Sequence, residues 1–435
     1  MCGIAGFFNT QQQFTKNITK YQKILHNMKN VLSHRGPDDS GIYLSLIHIC
    51  TQNHKGESNM DKQNYTLRNI KKQAIQKHFY KIKKKLKKKL SSFDLIKRKR
   101  IIKDYNTLIQ AVFLFITQKL SFQRLSDIMA YKHHIVMSDT AWRKQILKIA
   151  PVFLDVAKQC LEEDIKSNIQ SNTKQHYYAL DATNLSVNGN KSEYIRIHTQ
   201  YDIEYCCMKY AFITDNHTPE SILHFPIEKG AVYFADRVYG KAKQLQHIIN
   251  SNADFVIRVS PFHIKLFKDS QCKEKLNLYE NISGEKFSLK CFFKNKDKIF
   301  PVRIIGTKKP LEKQKISEKK VKRKAQKNQY KASEKSIKFS KWFIVATSLN
   351  DTVSDDEIVA SYRIRWQIEL FFKRMKTLLN FHTIRCSSIL YSKSITCLWL
   401  SVGFILCAFQ IYLTYSLHFS ISNFNIFSLM KCFFS

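Results

Sequence analysis

From residue 176 to 259 the spacing of apolar residues changes from a helical period to alternation, and this change restricts the chain to an α/β fold. HYYALDATNLSV at 176–187 predicts a strand with Asp181 near its centre, and IRIHTQY and MKYAFIT predict partner strands. PESILHF predicts a short helix, AVYFADRVYG a strand ending in Asp236, KAKQLQHIINS a helix and ADFVIRVS a further strand. Three strands, a crossover, a strand ending in an acid and a helix-strand pair fit a mixed sheet. Asp236 falls where a strand meets a loop, the place where α/β folds collect their chemistry.

The second constraint is SYRIRWQIELFFKRMKTLLN at 361–380, which predicts one amphipathic helix. At 100° per residue, Tyr362, Arg365, Glu369 and Lys376 fall within about 60° of one another. Ile364, Ile368, Phe371, Met375 and Leu379 are expected on the opposite, buried side. Trp366 belongs to the polar face, where it can be half-buried or stack on a displaced base. Asp181, Asp236 and Glu369 are therefore candidates for one shared site. Carboxylates gathered together repel, and a divalent metal is the usual relief. Such ions can activate a water or a 3′-hydroxyl at a phosphodiester.

Charge points the same way. Lysine and arginine total 72 against 34 acids, a net charge of +38, which predicts a polyanionic partner and nucleic acid first. Residues 67–165 are expected to form a helical, basic DNA-binding region. Ile75, Phe79, Ile82, Leu86 and Leu90 recur at helical spacing through KIKKKLKKKL. LSFQRLSDIMAYKHHIVMSDTAWRKQILKIA then predicts helix, turn, helix, with Ser121 and Ser138 as N-caps and Trp142, Ile146 and Ile149 buried. Arg143, Lys144 and Lys148 are the outward cations of that second helix. Residues 170–260 are expected to form the first part of an α/β core, 261–350 a β-rich basic insertion whose LEKQKISEKKVKRKAQKNQYKASEKSIK segment is expected to be a mobile loop, and 351–415 the second part of that core. The apolar run Ile395–Tyr415 is expected to be a packed core helix rather than a membrane span, because Thr396, Ser401 and Gln410 interrupt it. The eleven cysteines show no metal-ligand spacing, so reduced thiols and a cytoplasmic, nucleoid-associated setting are expected.

Tyr362-x2-Arg365-x3-Glu369-x6-Lys376, with ALDATNLS and FADRVYGKAKQL upstream, resembles the DDE transposases of the bacterial insertion-sequence group whose catalytic domain carries a β-strand insertion. The similarity covers roughly residues 66–415. It implies a ribonuclease-H-like core, Asp181, Asp236 and Glu369 as catalytic ligands of Mg²⁺ or Mn²⁺, and Tyr362, Arg365, Lys376, Arg237 and Tyr239 as DNA-binding residues. It also implies cleavage and strand transfer at transposon ends by a homodimer.

MCGIAGFF and HRGPDDSG, within residues 1–43, resemble the start of a class II glutamine amidotransferase, asparagine synthetase in particular. In that family Cys2 would be the nucleophile once Met1 is removed. The rest of that domain has no counterpart downstream, so Cys2 is expected to be vestigial. LSLIHI at Leu44–Ile49 matches a translated sequencing adaptor, so the 44–66 junction is expected to join two unrelated genes. The apolar tail 416–435 is expected to be a frameshifted or truncated end. The rival readings are amide transfer by Cys2 and a DNA-binding relic without turnover.

Overall fold

A computed structural model describes residues 76–93, 101–102, 104–118, 120–168, 175–187, 194–260, 262–378, 383–384 and 388–412. The Cys2 segment, the 44–66 junction and the 416–435 tail lie outside the described residues, as do Ile75 and Leu379.

The described chain begins with helix α1 (76–91), followed by α2 (Tyr105–Thr117), α3 (Phe122–His133) and α4 (Asp139–Asn168). Ser121 caps α3 by accepting from the Arg124 amide, and Ser138 accepts from the Ala141 amide at the start of α4, as the two serines predict. Trp142, Ile146 and Ile149 are completely buried, while Arg143, Lys144 and Lys148 are exposed. Phe79, Ile82, Leu86 and Leu90 bury one stripe of α1. Two lysines of its basic run turn inward: Lys85 pairs with Asp164 at 3.0 Å and Lys89 with Glu163 at 2.6 Å, clamping α1 to the end of α4.

Ten strands then form one sheet in the order β3-β2-β1-β4-β5-β9-β8-β7-β6, with β10 beside β1. β1 (Tyr177–Val187), β2 (Tyr194–Asp202) and β3 (Cys207–Asp215) run antiparallel, whereas β4 (Val232–Ala235) and β5 (Asp254–Arg258) lie parallel to β1. Helix α5 (Ala242–Asn250) joins the last two and covers one face with Leu245 and Ile248. This five-strand order is the ribonuclease-H-like core. The crossover from β3 to β4 holds only a 3₁₀ turn, Ile222–His224.

The insertion extends the same sheet with β6 (Leu266–Phe267), β7 (Lys286–Asn295), β8 (Lys298–Lys308) and β9 (Trp342–Thr347), and β9 pairs antiparallel with β5. The cationic segment between β8 and β9 is not the loop expected from its composition. It folds as α6 (Leu311–Lys327) and α7 (Glu334–Ser340). Its lysines, glutamates and glutamines are good helix formers, there is no glycine or proline between Leu311 and Ser340, and buried Gln314 and Ala325 seat α6.

The chain returns through α8 (Asp355–Tyr362), α9 (Trp366–Leu378), β10 (Thr383–Ile384) and α10 (Ile389–Ile411). Helix α10 is long and apolar enough to cross a membrane, yet Leu398, Val402, Phe404, Ile405 and Phe409 are buried in one core shared with α4 and with Ile195, Ile197 and Met208 of the sheet. Cys160, Cys206, Cys207, Cys272, Cys291, Cys397 and Cys407, the described cysteines, are all free.

Candidate active site

Strand register brings the two aspartates together. On β1 and β4, Ala179 is in register with Phe234 and Leu180 with Ala235, so the next step along both chains is Asp181 beside Asp236. Neighbouring strands are about 4.8 Å apart, and paired residues share a face. Alternation assigns that face. Leu180 and Ala235 belong to the core on one side, while Ala179 and Phe234 pack on the other, the side that Asp181 and Asp236 therefore also occupy.

Helix α9 delivers the glutamate to the same face. Ile368 and Phe372 pack against Ala179 and Tyr201, which holds the first turns of α9 over β1 two residues short of Asp181. Glu369 sits between these anchors in sequence. The Arg365 guanidinium bridges the two acids, with Nη1 3.5 Å from Asp181 Oδ2 and Nη2 donating to Glu369 Oε1. Lys376 Nζ donates to the Asn184 carbonyl at 3.4 Å, tying the far end of α9 to β1. Arg258, at the end of β5, lies 3.8 Å from Asp236.

The 361–380 stretch is not one continuous helix. Arg363–Arg365 form a 3₁₀ turn between α8 and α9, and the tighter turn rotates the residues before it relative to those after. Ile364, expected in the core, is therefore 41% exposed, while Ile368 and Met375 are buried as predicted and Trp366 is exposed. Tyr362 belongs to α8 and is buried, its ring 5.2 Å from that of Phe343 and its hydroxyl without a partner. Tyr239 is completely buried, also with an unpartnered hydroxyl. Both tyrosine rings, expected to touch DNA, are buried, Tyr239 at the end of the 3₁₀ turn Arg237–Tyr239 and Tyr362 at the end of α8. Arg237 is exposed beside Asp236.

Burial governs the electrostatics. It pushes the Asp181 carboxyl up to about 6, against the pull of Arg365 and a hydrogen bond from the Ala182 amide. Burial lowers Lys376, with Asp181 opposing. One group lacked any sequence signal: Glu220, in the β3 to β4 crossover, is held 3.6 Å from Arg196 of β2 and raised by burial and by Asp236. Arg258 had a weak signal, a cation following the apolar run Phe255–Ile257.

The donor chemistry of Asp181, Asp236 and Glu369 suits a hard divalent cation, and Asp236 Oδ1 is a buried oxygen without a hydrogen-bond partner. Among the described residues no three acidic, histidine or cysteine side chains enclose an ion-sized space. The reason is visible at Arg365, whose guanidinium stands between Asp181 and Glu369.

A mixed sheet of this order, with one acid near the centre of its first strand, a second just past the end of the neighbouring parallel strand and a third on a helix packed across them, defines a ribonuclease-H-like nucleotidyl-transfer domain. The family described as Transposase DDE domain matches residues 174–390, the span that contains all of these elements. The transposase for insertion sequence element IS421 of Escherichia coli is 25% identical over 299 residues, covering 66% of this chain and 80% of that protein. The InsL protein of insertion sequence element IS186A from Escherichia coli strain K12 is 24% identical over 298 residues with the same coverage. The chain belongs to the DDE-type insertion-sequence transposases.

Proposed function

We propose that this protein catalyses cut-and-paste DNA transposition, cleaving phosphodiesters at the ends of its element and joining the freed 3′-hydroxyl to new DNA. The observation that carries the reading is the neighbouring register of Asp181 and Asp236 on parallel strands, with Glu369 brought to Asp181 through Arg365. The substrate is DNA, drawn to a chain with a net charge of +38.

In this reading Asp181, Asp236 and Glu369 would hold Mg²⁺ or Mn²⁺, which when bound would supply the positive charge that activates the attacking oxygen and stabilises the leaving one. Arg365 and Lys376 bind phosphate oxygens across the site, and exposed Arg237 adds a contact at its mouth. Arg365 then exchanges its carboxylate partners for phosphate when DNA and metal enter. Buried Tyr239 and Tyr362 back the site and exclude water from behind. Action on two transposon ends by a homodimer within the nucleoid rests on the family resemblance.

A supercoiled plasmid carrying the element's ends, incubated with Mg²⁺ or Mn²⁺, tests the function. Nicking is expected to be lost in Asp181→Ala, Asp236→Ala and Glu369→Ala and retained in Cys2→Ala. Loss of nicking in Cys2→Ala, or its persistence in an acid variant, contradicts the assignment.

A further inference from the structure

The geometry points to a second phosphate-binding subsite, formed by Arg237, Arg258 and Lys309 beside Asp236, that grips the DNA backbone where the strand leaves the carboxylates toward the insertion. This inference rests on the transposase reading above and concerns residues outside the signature helix.

The sheet places these groups together. Arg258 ends β5 directly after Val256 and Ile257, and Val256 is in register with Phe234, two residues before Asp236. Alternation thus puts Arg258 on the face of Asp236, and its Nη1 lies 3.8 Å from that carboxylate. On the next strands Phe343 is in register with Thr307, and the Arg258 guanidinium lies over the Phe343 ring at 5.6 Å. Lys309, two residues beyond Thr307, emerges from the end of β8 on the same face. Its amide donates to the Lys341 carbonyl at 2.9 Å, which fixes the backbone there.

Lys309 has an unusual setting for a lysine. Its ammonium donates to Ser317 Oγ at 2.9 Å and to the Ser340 carbonyl at 2.7 Å, both neutral acceptors, and no carboxylate pairs with it among the described residues. Its other neighbours are cations. Burial together with Arg258, Arg237, Lys320 and Lys313 pulls its pKa down to about 8. Arg237 follows Asp236 in the chain with its side chain exposed at the mouth of the site, and Arg258 Nε is buried without a hydrogen-bond partner.

Gathering partly desolvated cations costs free energy that an anion restores. A phosphodiester suits the cluster: guanidinium offers a fork of donors, and an ammonium with two of three protons committed retains one. Asp236 on one flank and α6 on the other orient the site along the sheet, so a strand passing the carboxylates meets Lys309 next and Lys320 of α6 beyond. The α6 and α7 hairpin thereby acquires a role as the outer wall of the DNA channel.

Equilibrium binding of two labelled duplexes at several salt concentrations tests this, one ending at the element's terminus and one continuing into flanking DNA. Lys309→Gln and Lys320→Gln are compared with the wild type and with Lys298→Gln, an exposed lysine at the opposite end of β8. Each cluster substitution is expected to make the slope of log K against log salt shallower by about one on at least one duplex, with Lys298→Gln unchanged. A change confined to the longer duplex assigns the phosphate to the flank; a change on both assigns it to the element's end. The slope does not depend on the fraction of folded protein, so a partly destabilised variant still reports. Wild-type slopes for Lys309→Gln on both duplexes, or an equal change in Lys298→Gln, overturn the subsite. A wild-type chain that binds neither duplex refutes the transposase reading itself.

Discussion

The guanidinium of Arg365 lies 3.5 Å from the Asp181 carboxylate, and the same side chain donates to Glu369. A cation thus stands between two of the acids that would hold a metal. Two unit charges about 4 Å apart interact by about 1 kcal/mol in water and about 4 kcal/mol near a protein surface. Arg365→Gln is therefore expected to tighten Mn²⁺ binding to the DNA-free protein by on the order of tenfold, while weakening DNA binding. A Mn²⁺ titration of both proteins checks this, and unchanged or weaker metal binding in the variant removes Arg365 from that role.

Asp181 sets a pH dependence whose sign follows from burial. Its carboxyl is raised to about 6 in the folded chain against about 3.9 unfolded. The folded state consequently holds more protons between those values, and stability falls as pH rises through that window. Asp181→Asn removes the penalty, so metal-free variant protein should melt higher than wild type at pH 8, by the equivalent of about 3 kcal/mol, with little difference at pH 4. Thermal melts at the two pH values decide it; an equal effect at both would show that Asp181 is ionised throughout.

Two glycines test the packing around the insertion and the site helix. A Cβ on Gly306 of β8 would overlap the ring of Phe287, its cross-strand partner on β7, whereas a Cβ on Gly403 of α10 would meet the flexible Met375 Cε at 2.6 Å. Gly306→Ala should cost about 2 kcal/mol and Gly403→Ala less than about 1 kcal/mol. Denaturant unfolding of both variants gives the comparison, and Phe287→Leu should restore most of the loss in Gly306→Ala.

The buried face of α10 provides a stability test of the shared core. Phe404 is completely buried in the cluster that joins α4, α10 and the sheet. Phe404→Ala should destabilise the protein by about 3 to 5 kcal/mol. A cost below about 1 kcal/mol would indicate that α10 does not pack on this core.

Much of this architecture was legible because alternation and register are local. Residues 177–187, 194–202 and 207–215 are runs rich in β-branched and aromatic residues that pair as neighbouring strands, which is why their strands and the position of Asp181 could be read directly. The helical stripe predicted that Arg365, Glu369 and Lys376 lie together, and Ile368 and Met375 are buried accordingly. The 3₁₀ turn at Arg363–Arg365 was not legible, since nothing in its composition differs from helix, and its extra rotation exposes Ile364 and separates Tyr362. The helical nature of 311–340 was hidden by its charge: a lysine-rich stretch satisfies disorder and helix equally until buried contacts such as those of Gln314 and Ala325 decide. Arg258 and Lys309 come to one face through strand order, which no single stretch of sequence encodes.

The central claim, that Asp181 ligates the metal of a phosphodiester-cleaving site, is tested most directly by changing the ligand rather than deleting it. Thiolate is a soft ligand that Mg²⁺ binds poorly and Mn²⁺ tolerates better. Plasmid cleavage by Asp181→Cys should fall by at least about 100-fold in Mg²⁺ and recover substantially in Mn²⁺, while Asp181→Ala stays inactive in both. Equal loss of Asp181→Cys activity in the two metals, or activity of Asp181→Ala in either, would contradict the account.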